Sequence, residues 1–80
     1  MSKAKELIAG AAFGPQKVAQ LARVFDAAWD VVKAEYQSRL AVEAARLKLA
    51  NIVINLAKEE EQDDQKLKDR AVRILSVDNA

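Results

Sequence analysis

The chain has 80 residues, which makes one domain, and a domain of that size has a thin core. With no cysteine and no histidine, disulfides and the common zinc arrangements are excluded as reinforcement, and oligomerisation remains. Thirteen basic residues against twelve acidic ones give a net charge of +1, too even to point to nucleic acid or an anionic membrane on charge alone, and no apolar run reaches the roughly 18 residues of a membrane span, so a cytoplasmic chain is expected.

Residues 2–10 read as a short first helix with Ser2 as cap and with Leu7, Ile8 and Ala11 as its apolar handle, a terminal element that docks loosely. Phe13-Gly14-Pro15-Gln16 then punctuates the chain. Glycine permits a non-helical entry, and a proline at the first helical position loses no bond that the helix needs. A long helix is predicted over 15–36, burying Val18, Leu21, Ala22, Phe25, Ala28, Trp29, Val32 and Tyr36, with Phe25 and Trp29 one turn apart as the anchor of the core. Opposite them, Arg23, Asp26, Asp30 and Lys33 can pair at three-residue spacing. Paired carboxylates could serve as metal ligands or as an acid and base, but each here has a cationic neighbour and no histidine, which is the pattern of a solvated charged face.

Around Gln37 and Ser38 the apolar phase shifts. Ser38 can cap the next helix, predicted over 39–58; one continuous rod from Pro15 to Lys58 would be about 65 Å long and stable only with a partner beside it. The stretch from Arg39 to Lys58 has two apolar faces. Val42, Ala45, Leu49, Ile52, Val53 and Leu56 make one wide stripe, while Leu40, Leu47 and Ile54 lie opposite at intervals of seven, with Glu43, Ala50 and Ala57 at the companion heptad position and Asn51 and Asn55 at the border. A helix apolar on two sides must be central, with partners front and back that come from this chain or from a second copy. Leu40, Leu47, Asn51 and Ile54 are the candidate self-association face.

The acidic run from Glu59 to Asp64 lacks the glycine and the alternate ligand spacing of a calcium loop, and reads as a polar turn in which Asp63 or Asp64 caps a last helix over 64–76. That helix should turn Leu67, Ala71, Ile74 and Leu75 inward and Lys66, Asp69, Arg70 and Arg73 outward, with 77–80 frayed.

No nucleophile stands beside a base, and the glycines Gly10 and Gly14 form no phosphate-cradling loop. No catalytic residue, cofactor or metal is therefore expected. The expected fold is all-α, a small three-helix bundle with a short fourth helix at the N-terminus. The expected function is a non-enzymatic, self-associating protein-interaction module, most simply a two-fold homodimer. The alternative is a small nucleic-acid-binding regulator that reads with the last helix through Lys66, Arg70 and Arg73, against which stands the acidic run at that helix's start.

The run Phe25-Asp26-Ala27-Ala28-Trp29 after Phe13-Gly14-Pro15, followed by Arg46-Leu47, Leu49-Ala50, Ile52-Val53, Leu56-Ala57, Glu61, Asp63 and Leu67, resembles a family of small all-helical bacterial proteins to which no function is attached. The likeness spans Phe13 to Leu75 and falls mostly on core positions. It implies the same helix plan and no site. Glu60 stands where that family often has glycine, so a left-handed turn there would be strained.

Overall fold

A computed structural model describes residues 3–59 and 63–78. The fold is all-α. Helix α1 (Lys3–Gly10) is followed by α2 (Pro15–Val32), a 3-10 turn over Lys33–Glu35, α3 (Arg39–Ala57) and α4 (Asp64–Asp78).

Each long helix starts where local chemistry sets it. Gly14 is extended (φ −67°, ψ 165°) and delivers Pro15 into the first turn of α2. Ser38, also extended, accepts a hydrogen bond at Oγ from the Ala41 N–H (3.0 Å), and so satisfies one of the donors that a helix start leaves without an intrahelical partner. Asp63 does the same for α4, its Oδ1 accepting from the N–H groups of Gln65 (2.8 Å) and Lys66 (3.1 Å). Asp63 is thus the cap, and Asp64 the first helical residue. The expected Ser2 cap and the turn at Glu60 lie outside the described residues.

Two helix ends differ from the sequence reading. Helix α2 stops at Val32, four residues short of Tyr36, and the chain tightens into the 3-10 turn before Tyr36 itself becomes extended (φ −117°, ψ 124°). On an uninterrupted helix Tyr36 would lie about 10.5 Å along the axis from Trp29. The altered path brings the two rings to 5.7 Å between centroids with planes 15° apart, a stacked pair. At the other end of the chain, Val77 and Asp78 continue α4 where fraying was expected, since neither glycine nor proline interrupts them.

The core lies where α3 meets α1, α2 and α4, and α2 closes the bundle against α4. Helix α3 thus has neighbours on more than one side, as its two apolar faces lead one to expect, and α2 likewise packs against all three other helices. Its wide stripe buries Ala45, Leu49, Ile52, Val53 and Leu56, with Val42 half-buried. Ala50 and Ala57, expected in an outer seam, are buried as well, in the same core cluster as Ala4 and Ile8 of α1. Helix α1 docks through only part of the handle read from sequence: Ile8 is buried together with Ala4, one turn before it, whereas Ala11 is half-buried and Leu7 is 40% exposed. In α2 the buried line is Leu21, Val24, Phe25, Ala28 and Val32, so Phe25 alone anchors the centre and Trp29 sits half-buried at the rim. In α4, Leu67, Ala71 and Leu75 are buried, but Ile74 stays 36% exposed while Val72 packs on the core. No polar or charged side chain is buried among the described residues.

Candidate interaction surface

Two features stand out on the exterior, one aromatic and one aliphatic. The aromatic one is built where α2 ends. The Arg46 guanidinium, projecting from α3, lies 4.9 Å from the ring centroid of Phe25 and 5.3 Å from that of Trp29, and Trp29 in turn stacks on Tyr36. A flat cation over a ring face is attracted by the negative face of the π-system, and here one guanidinium serves two rings. Sequence reasoning paired Phe25 and Trp29, one turn apart, as the anchor of the core, and the structure gives them a common neighbour. That neighbour is Arg46, which an apolar-period reading passes over because it is charged.

The aliphatic feature is the outward ridge of α3. Leu40, in the first turn, is 83% exposed; Leu47 is half-buried; Asn51 is exposed, with its side-chain amide donating to its own helix at the Leu47 carbonyl (3.2 Å). Ile54 is half-buried and packs against the core cluster. The four candidate residues therefore share one side of α3 but differ in availability, from open at Leu40 to largely engaged at Ile54. A shallow cleft of about 200 Å³ is lined by Tyr36, Ala41, Ala44, Ala45 and Lys48.

The charged side chains mostly tie elements together. Of the expected pairs on α2, Asp30 with Lys33 forms at 3.1 Å. The other two residues reach further: Asp26 pairs with Lys5 of α1 at 2.8 Å, and Arg23 approaches Asp64 of α4 at 3.5 Å, where Gln20 also donates at 2.8 Å. On α4, Lys66, Arg70 and Arg73 are all exposed, as the nucleic-acid alternative needs, but Arg70 makes a two-pronged contact to Glu59 at 2.9 and 3.4 Å, so one of the three cations already faces a carboxylate.

The cleft beside Tyr36 and a second of about 210 Å³, lined by Arg23, Val24, Ala27, Asp64, Gln65 and Lys68, are both smaller than the roughly 300–1,000 Å³ of typical ligand pockets. Among the described residues no three metal-binding side chains converge, and no helix is long and apolar enough to cross a membrane. Comparison with protein-family models, with curated proteins and with solved structures gives no match, so the ridge is read from its own geometry.

Proposed function

We propose that this protein is a self-associating helical interaction module and that the outward ridge of α3, from Leu40 through Leu47 and Asn51 to the edge of Ile54, is its contact surface. The observation that carries this reading is Leu40. A leucine 83% exposed, on a helix that all three other helices pack against, leaves most of its apolar side chain uncovered by the described residues. Covering it removes apolar area from water, worth about 25 cal/mol per Å². A thin single-domain core gains from that cover, and an isologous contact uses the same patch twice.

Light scattering across a wide concentration range tests this. The chain should rise from 8.8 kDa toward twice that mass as concentration increases, and Leu40→Glu should remain a monomer with unchanged helix content. A wild-type mass that stays at the monomer value up to millimolar concentration, or an Leu40→Glu variant that associates as the wild type does, overturns the reading. The nucleic-acid alternative has less support, because Arg70 is already paired with Glu59 and the chain's charge is balanced.

A further inference from the structure

The pattern of exposure on α3 carries the self-association reading further, to the geometry of the pair. A heptad seam needs two positions per seven residues, four and three apart. The positions three residues after Leu40, Leu47 and Ile54 are Glu43, Ala50 and Ala57, and two of those are buried inside the fold. The positions four residues after are Ala44, Asn51 and Lys58, and all three are exposed. The seam that can meet a partner is therefore Leu40, Ala44, Leu47, Asn51 and Ile54, with leucine or isoleucine at d and alanine or asparagine at a.

In that register Glu43 falls at g and Lys48 at e, five residues apart and flanking the seam on opposite sides. Both are exposed, and neither forms an ion pair with another described residue. Being five apart on one helix, they do not face each other within the chain. A g residue facing the e residue five positions on in the other strand is the cross-strand pairing of a parallel two-stranded coil, so a second copy of this chain supplies each with its opposite charge. The antiparallel arrangement that uses the same layers is worse matched: the partner's Lys48 would approach Lys48, and the partner's Ala57 would face Glu43. Asn51 adds a polar layer. Its amide holds the Leu47 carbonyl through one N–H, which leaves its carbonyl oxygen and second N–H for the partner's Asn51 at the same level, a contact that costs stability but fixes register.

We infer that the chain pairs with a second copy of itself through α3 in parallel, two-fold alignment, with Glu43 of each copy against the partner's Lys48 and the two Asn51 amides facing each other. This rests on the self-association reading, and its test separates the two. Dimer dissociation constants are measured by sedimentation for the wild type, Glu43→Lys, Lys48→Glu and the double variant, with circular dichroism as the control for folding at these exposed sites. Each single reversal turns two attractive pairs into two repulsive ones and should weaken the dimer about tenfold, while the double variant should return to within about twofold of the wild type. Because the chain has no cysteine, Ala44→Cys gives a second readout: parallel alignment puts the two thiols at the same level, and oxidation should yield a covalent dimer far faster than for Ser76→Cys on α4. A wild type that dimerises while the single reversals leave its affinity unchanged, or a double variant that stays as weak as the singles, or Ala44→Cys crosslinking no faster than Ser76→Cys, overturns the parallel alignment and leaves the self-association reading standing. A wild type that never dimerises overturns both.

Discussion

Replacing Arg46 tests whether the aromatic cluster holds the end of α2 to the start of α3. In Arg46→Ala the guanidinium is removed from 4.9 Å over Phe25 and 5.3 Å over Trp29. Each such contact contributes about 0.5–1 kcal/mol at an exposed site and about 2 when desolvated, and the half-buried stem adds packing that alanine does not replace. The two contacts and the stem together come to about 2 kcal/mol, which lowers the Tm of a domain this size by about 8–16 °C. The assay is urea unfolding followed by Trp29, the chain's single tryptophan, whose emission reports the cluster itself. Arg46→Lys keeps the charge but not the flat face, and should recover about half of the loss. A double-mutant cycle with Trp29→Leu, read by circular dichroism, should give a coupling of about 0.5–1 kcal/mol. A loss below about 0.5 kcal/mol in Arg46→Ala, or full recovery by lysine, would refute the stacking account.

Three more outcomes follow from burial and capping. Leu40→Glu should leave the monomer's stability within about 0.5 kcal/mol of the wild type, whereas Ile54→Glu, on the same side of α3 but packed on the core, should cost about 2–4 kcal/mol in urea unfolding; equal effects would mean that the ridge is uniformly exposed or uniformly buried. Asp63→Ala removes the acceptor of two N–H groups at the start of α4 and should cost about 1–2 kcal/mol, with amide hydrogen exchange rising first at Gln65 and Lys66. Gly10→Ala should stabilise the chain by about 0.4–1 kcal/mol in thermal unfolding, because Gly10 is helical, its φ is not positive and a methyl group there meets nothing within 4 Å.

The elements were legible because their punctuation is local. Gly14-Pro15, Ser38 and Asp63 each act through atoms within a few residues, and the apolar period between them admits only helices. The two-sided pattern of α3 likewise announced a central helix, and three neighbours surround it. What the period could not convey was which neighbour covers which side. Ala50 and Ala57 satisfy a heptad on paper, but they are buried in one cluster with Ala4 and Ile8, two residues of α1 whose own period is too short to read. The end of α2 was illegible for a similar reason. Nothing between Val32 and Gln37 forbids a helix, and the break comes with side-chain packing that the period does not carry, the Tyr36 ring against Trp29 with Arg46 over the Trp29 face. As for the ridge, its register on α3 could be read from sequence, whereas its companion positions could be chosen only once burial was known.

Every charge in the described chain lies outside a core made only of apolar side chains, and the ion pairs among them, exposed but for the half-buried Lys68, are worth about 0–1 kcal/mol each. Electrical identity and architecture are thus largely separable in this molecule. Apart from Arg46 over its two rings and Asp63 at its cap, its charged residues can be rewritten, acidic for basic or the reverse, at little expense to the fold. The same scaffold can therefore drift toward new partners, or be recharged by design to select one copy of itself over a near relative, while its interior stays the same.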